Sequence, residues 1–389
     1  MKQFENIFRT IFVALICFFT SNNISAQEDL SPLDSVEIGL ITCSPHNEIY
    51  SLYGHTALRL HDLRNGVDCV FNYGVFNYAA PHFASRFVFG LTDYELGIAP
   101  TAPFCKYYQD WGCQVTEHVL NLTNQEKVNI YNALRINYLP ENRIYRYNFF
   151  YDNCSTRPRD IIERNVSGKI IYTPREDFTP TYRQMLHEHL TDYRWTACGI
   201  DLLLGVKSDL KTTMREQEFL PENLRYDFDH AFIEHDGRKE PLVKERRELV
   251  APGVQVTDPS LPLTPTHCGI ILLVISLIVL AYEYTKKKTL KWFDIMWMTA
   301  TGIVGIVLFL MIFSEHPTTS LNLQILIFNP MSLFFIWPVW KGRKTVWFTH
   351  SMVLTMAFFL GSYWQDYAEG MEFVALCLLL RYWRHHNDK

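Results

Sequence analysis

YNFFYDNCSTRPRDII, residues 147–162, is the stretch on which the fold and chemistry of this chain turn. Pro158 lacks an N–H and would clash deep in a helix, but a helix accepts it in its first turn. Ile161 and Ile162 carry the helix onward, Ser155 or Thr156 is its expected cap, and Cys154 falls at or just before its N-terminus. There the free backbone N–H groups and the helix dipole favour a thiolate. The same N–H groups are placed to hold an oxyanion. A thiol nucleophile needs a base. His55, preceded by Gly54 at the start of an alternating stretch, is the candidate.

Working outward, Val36 to Cys43 (VEIGLITC) reads as a buried strand and Tyr53 to Leu60 (YGHTALRL) as a second. Arg64-Asn65-Gly66 is a turn signal that returns the chain into a third strand, Cys69 to Tyr78. Thr123 and Glu126 have the spacing of a capping box, which predicts a helix over 123–137 with Ile130, Ala133 and Leu134 on one face. Arg143 to Phe150 is expected to be a further strand.

The whole chain has 389 residues, 48% of them hydrophobic and 15% aromatic, with a net charge of −5. That balance excludes a disordered chain and gives no basic footprint for nucleic acid. The mean hydropathy of −0.04 averages two unlike parts. Residues 1–26 have the make-up of a signal peptide: Lys2 and Arg9, a short apolar run from Ile11 to Phe19, then Ile24-Ser25-Ala26 before Gln27. Ile16 before Cys17 speaks against a lipoprotein signal. Residues 27–250 form a polar exported domain, and residues 251–266, with Pro252, Pro259, Pro262 and Pro265, read as a linker.

Residues 267–389 are different. Gly269–Tyr282, Phe293–Phe313, Leu323–Trp340, Val346–Trp364 and Glu372–Trp383 are apolar stretches near the length a bilayer needs, the last one short. The loops holding Lys286 to Lys291 and Lys341 to Lys344 and the C-terminus are basic, whereas those around His316 and Asp366 carry no Lys or Arg. The positive-inside rule places the basic loops and the C-terminus in the cytoplasm and the 27–250 domain outside, which agrees with the export signal. The expectation is a multi-pass protein of a bacterial inner membrane, with its soluble domain in the periplasm. Trp292, Trp297, Trp337, Trp340, Trp347 and Trp364 lie near span ends, as interfacial anchors do.

Cysteine in an exported domain more often forms a disulfide than a nucleophile. Cys43, Cys69, Cys105, Cys113, Cys154 and Cys198 form an even set, and Cys105 and Cys113 are close enough in sequence to bridge. Glu315 and His316, on the outer loop between the second and third spans, are candidates for binding a head group or an amine, with helix capping as the alternative. Arg157 is a candidate phosphate ligand, with a surface ion pair as the alternative. No metal or nucleotide motif or serine-hydrolase elbow stands out, so neither metal nor cofactor is expected.

GHTALRL at 54–60, FNYGVFNY at 71–78, FVFGLTDYELG at 87–97, the NCST motif inside 147–162, SEHPTTSLN at 314–322 and FNP at 328–330 together resemble the Lnb-type lipoprotein N-acyltransferase family of Bacteroidetes. The His-then-Cys order, with Cys opening a helix, also resembles the circularly permuted papain-like proteins, the NlpC/P60 and lecithin:retinol acyltransferase groups. The resemblance implies an α+β, permuted papain-like exported domain joined to an all-α membrane domain of about five helices. It implies Cys154 as nucleophile and His55 as base, with a third polar residue on the next strand, Asn72 or Asn77. Cys43, in a TCSP setting that also fits the family pattern, is a rival nucleophile. The implied reaction moves an acyl chain from a membrane phospholipid through a Cys thioester to the α-amino group of a diacylated lipoprotein. A papain-like hydrolase acting on peptidoglycan peptides or phospholipid, anchored by its spans, is the alternative, and a non-catalytic disulfide-stabilised scaffold is a third.

Overall fold

A computed structural model describes residues 31–76, 81–176, 178–255, 261–343 and 345–386. The signal segment 1–26 and Asn77 lie outside the described residues.

The strands are β1 (Val36–Cys43), β2 (His55–Asp62), β3 (Val67–Val75), β4 (Asp93–Pro100), β5 (Val115–Leu120), β6 (Ile144–Arg146), β7 (Lys169–Ile171), β8 (Phe232–His235), β9 (Arg238–Pro241) and β10 (Val243–Val250). Among the described residues they form an antiparallel seven-stranded sheet in the order β10-β5-β1-β2-β3-β4-β6, and a small sheet β7-β8-β9. β1 is buried along its whole length because it is central and covered on both faces. β10, an edge strand, reads VKERRELV and turns its Lys, Arg and Glu residues outward. Charge on an exposed edge discourages pairing with another chain.

The helices of this part are α1 (Phe83–Val88), α2 (Thr101–Asp110), α3 (Asn124–Asn137), α4 (Thr156–Asn165), α5 (Tyr182–Glu188), α6 (Arg194–Leu203), α7 (Met214–Gln217) and α8 (Pro221–Asp229). One sheet face packs Ile38, Leu40, Leu58 and Phe71 against Ile130 and Leu134 of α3 and Ile162 of α4. The other packs Ile41, Cys43, Ala57 and Val70 against Phe104 and Tyr108 of α2. The Thr123–Glu126 capping box opens α3 as its spacing predicts. Of the strand expected over Arg143–Phe150, only Ile144–Arg146 pairs with β4; beyond it Asn148 Oδ1 turns the chain by accepting from the N–H groups of Phe150 and Tyr151. No disulfide forms among the described residues. Cys105 and Cys113 are both free, and the Cys113 thiol donates to the Pro45 carbonyl at 3.6 Å.

The membrane part comprises α9 (Pro265–Lys286), α10 (Lys291–Met311), α11 (Ile336–Trp340), α12 (Trp347–Gly361) and α13 (Met371–His386). Among the described residues three helical segments, Pro265–Lys286, Lys291–Met311 and Leu323–Trp340, are long and apolar enough to cross a membrane; Trp347–Gly361 is apolar but shorter. Five such spans were expected. The last stretch, α13, carries Glu372, Arg381 and Arg384 within 16 residues. The third segment is broken into 3₁₀ turns at Leu323–Leu326 and Pro330–Phe335 before α11. Pro330 cannot donate to a helical ladder, and Asn329 Oδ1 accepts from Met331 N at 2.9 Å instead. Gly305 of α10 lets this broken backbone approach, since a Cβ there would lie 2.4 Å from the Phe328 carbonyl oxygen, and Gly302 makes room for the Leu333 and Ser332 side chains. Trp292, Trp337, Trp340 and Trp364 are exposed, as anchors are, but Trp297 and Trp347 are buried in the helical packing.

Candidate active site

The N-terminus of α4 is built by Asn153. Its Oδ1 accepts from the N–H groups of Ser155 and Thr156 at 2.9 and 3.0 Å, and its own N–H donates back to Thr156 Oγ1 at 2.8 Å. The side-chain cap is therefore Asn153, not Ser155 or Thr156. The Asn153 amide also donates to the carbonyls of Phe149 and Phe219, which fixes the loop that carries Cys154. Ser155 is free to bond elsewhere, and its hydroxyl meets Thr56 Oγ1 at 2.9 Å, tying α4 to β2.

This tie brings Cys154 to His55, the first residue of β2. The two side chains face each other closely enough that each stabilises the charged form of the other. Nε2 of His55 lies 2.6 Å from Asn72 Oδ1 on β3. An amide oxygen only accepts, so Nε2 carries the proton and Nδ1 is left for the thiol. Asn72 is thus the polar residue brought to the imidazole; Asn77 lies outside the described residues. Burial opposes charge on both groups. For Cys154, the His55 charge and hydrogen bond, the Thr56 backbone N–H and the Ser155 hydroxyl outweigh that burial and hold the thiol below its ordinary range. For His55, burial is outweighed by Cys154 and Asn72, and the imidazole is held above its ordinary value. A thiolate–imidazolium pair is the form these partners stabilise.

Gly74 makes room for the pair. It has φ +107 at the point where β3 and β4 slip register, and a Cβ there would stand 3.5 Å from His55 Cε1 and 3.7 Å from Cys154 Cβ. Tyr108 of α2 lies parallel to the His55 ring, with ring centroids 6.4 Å apart. The motif FNYGVFNY contained Gly74, but its role was not legible without the bulge, and nothing in the sequence marked Tyr108.

Cys43 sits directly across from His55 in the β1–β2 register. It is buried, and burial pushes its thiol well above the ordinary range despite a hydrogen bond with Tyr108. Its chemistry is that of a neutral core thiol. Arg157 clamps Asp152 with two bonds of 2.6 and 2.8 Å and lies 3.6 Å above the Tyr145 ring, so it braces the Cys154 loop. Glu315 and His316 are not at the thiol. Their loop docks on the α1 region of the N-terminal part: Glu315 N donates to the Phe89 carbonyl at 2.9 Å, Glu315 pairs with Arg146 at 3.0 Å, and His316 Nε2 donates to the Phe87 carbonyl at 3.1 Å. Among the described residues no group of His, Cys, Asp or Glu could hold a metal ion.

Two family models match, the Lnb N-terminal periplasmic domain over residues 25–194 and the Lnb transmembrane domain over residues 257–388. The chain belongs to the Lnb family. It is a membrane protein whose N-terminal part is periplasmic, and that membership makes it a lipoprotein-related membrane enzyme. No curated protein and no solved structure matched. In this Lnb-family chain the Cys154–His55–Asn72 constellation lies inside the matched periplasmic domain, and the docking loop of Glu315 and His316 inside the matched transmembrane domain.

Proposed function

We propose that this chain is a lipoprotein N-acyltransferase that works through a thioester on Cys154. The single observation that supports this most is the placing of Cys154, at the start of α4, beside a His55 whose Nε2 is held by Asn72 at 2.6 Å. The Cys154 thiolate attacks the ester carbonyl carbon of a membrane phospholipid. The tetrahedral oxyanion is held at the helix N-terminus, where Asn153 takes the N–H groups of Ser155 and Thr156 and leaves that of Cys154 itself. The C–O bond breaks, the His55 imidazolium gives its proton to the leaving lysophospholipid oxygen, and the acyl chain stays on sulfur. The α-amino group of a diacylglyceryl-Cys then attacks the thioester, His55 takes the ammonium proton, and the thiolate leaves. Both substrates lie in one leaflet, so a catalytic domain fixed to that leaflet gains effective concentration.

The strand–strand–helix arrangement around the site supports a circularly permuted papain-like fold, and Cys43 serves as a core residue rather than the nucleophile. Five crossings, an inner-membrane location and a cytoplasmic C-terminus complete the reading, from the alternation of basic and non-basic loops. Glu315, His316 and Arg157 act by holding the architecture. The test is mass spectrometry of the intact protein after incubation with phosphatidylethanolamine vesicles. An acyl adduct on Cys154, discharged by a diacylated lipopeptide to give an N-acyl product, is expected. An adduct on Cys43, or discharge only to water, rejects the mechanism.

A further inference from the structure

Resting on that reading of Cys154, we propose that an aromatic path from Tyr147 to Phe87 carries the phospholipid acyl chain from the membrane to the thiol. Tyr147 is within electrostatic reach of Cys154: burial pushes its hydroxyl well up, and the Cys154 charge adds to the effect. From there the rings run without a gap. Tyr147 stacks on Tyr94 with centroids 4.0 Å apart, Tyr94 on Phe76 at 4.8 Å, Phe76 on Phe83 at 5.8 Å and Phe83 on Phe87 at 6.3 Å. Phe87 then meets the His316 ring edge-on at 6.1 Å.

His316 belongs to the loop that follows α10 of the membrane part, so the path ends where the bilayer begins. Phe313, three residues earlier and exposed, packs on Phe309 with ring centroids at 5.5 Å. Phe309, Ile325, Leu326, Met331 and Phe334 line a groove of about 430 Å³ between α10 and the broken third segment, within the range of about 300–1,000 Å³ typical of small-molecule sites.

The inner end of this row belongs to the sheet core, with Tyr94 buried and Phe76 and Tyr147 packed against it, and the outer end is open. Here Phe87 is 45% exposed, and Leu91 beside it and Phe313 below are exposed too. An apolar surface next to a reactive group and continuous with a membrane face suits a chain that must leave lipid without meeting water. The lower end is a fixed joint: Arg86 and Arg146 both hold Asp93, at 2.6 and 2.8 Å, and Arg146 reaches Glu315. The occupant is therefore one fatty acyl chain of a phospholipid, its carbonyl carbon at Cys154 and its methyl end towards Phe87.

The test places the full chain in vesicles of phosphatidylcholine doped with a phosphatidylcholine bearing a diazirine on its acyl chain, and maps cross-links by mass spectrometry in wild type and Cys154→Ala. Labels on Phe83 and Phe87, as well as on Phe309 or Met331, are expected in both proteins. Labels confined to the membrane segments, with none above His316, overturn the path. The rate of Cys154 acylation by dipalmitoyl relative to dihexanoyl phosphatidylcholine is the second measurement. Phe83→Ser with Phe87→Ser should reduce that ratio at least tenfold, and an unchanged ratio overturns the proposal. If wild-type Cys154 is never acylated, the transferase reading falls, while the cross-links still decide the path.

Discussion

Cys154 and His55 share one proton, so neither titrates alone. The reactive form needs Cys154 deprotonated and His55 protonated. Its population rises as pH climbs through the lowered thiol pKa and falls as pH climbs through the raised imidazole pKa. Acylation should follow a bell between those limits. Alkylation of Cys154 by iodoacetamide, followed by mass spectrometry, reads the acid limb directly. In His55→Ala that limb should move up towards or beyond the ordinary thiol range, because burial then acts without the imidazolium. An unshifted limb would mean the helix N-terminus alone sets the thiol. Asn72→Ala removes a bond that raises His55, so the alkaline limb of its acylation profile should move down while Cys154 remains reactive. At this scale the sequence was informative. A Cys before Ser-Thr-Arg-Pro and a His after Gly are local signals. The choice of Asn72 needed the β2–β3 register, which depends on side chains far apart in sequence.

At the scale of elements, local chemistry was readable and long-range pairing was not. The Thr123 capping box and the apolar run of β1 carry their own signals. β4, α2 and β5 went unread because their half-buried positions follow from neighbours in the sheet rather than from a regular period. The N-cap position of α4 is Ser155, as expected, but the capping side chain is Asn153, two residues earlier, since Asn153 and Thr156 have the reciprocal spacing of a capping box with Thr where Glu is usual. Asn153→Ala removes that cap, at about 0.5–2 kcal/mol. It also leaves the buried carbonyls of Phe149 and Phe219 without the amide, a further cost of about 1–3 kcal/mol. A lower thermal midpoint and slower Cys154 acylation are expected; an unchanged midpoint would assign the cap elsewhere.

The membrane helices are joined by a buried polar cluster. Arg381 of α13 binds Glu283 of α9 at 2.7 and 3.0 Å and Asp294 of α10 at 2.8 Å, and His385 adds a bond to Asp294. Arg381→Ala leaves two buried carboxylates without their main cation and should cost about 3–5 kcal/mol. Arg381→Met combined with Glu283→Gln and Asp294→Asn should recover most of that loss, read as thermal unfolding in detergent. If the triple variant is no better than Arg381→Ala, the cluster acts by something other than charge pairing.

For the whole molecule, the question is how a thiol on a periplasmic domain keeps a constant relation to the bilayer. The two parts are not joined by the 251–266 segment alone. Gly205 N donates to the Thr318 carbonyl and Val206 N to the Leu321 carbonyl, each at 2.8 Å, so the backbones of the two parts pair directly. Gln324 and Gln365 reach back to the carbonyls of Asp201 and Leu204, and Asn322 to that of Leu202. Arg194 holds Glu369 with bonds of 3.0 and 2.7 Å. Gly205 is the position that permits this contact, because a Cβ there would stand 2.1 Å from the Leu321 carbonyl oxygen. Gly205→Val must push the two parts away from each other while leaving the sheet, α4 and the Cys154–His55 pair untouched. Iodoacetamide reactivity of Cys154 and its pH profile should therefore stay as in wild type. Acylation from phospholipid vesicles should fall at least tenfold, because the thiol loses its fixed approach to the leaflet. A loss of both would place the damage inside the periplasmic fold. A loss of neither would make the linker sufficient and the paired backbones dispensable, which their two direct bonds and the three buried amide side chains argue against.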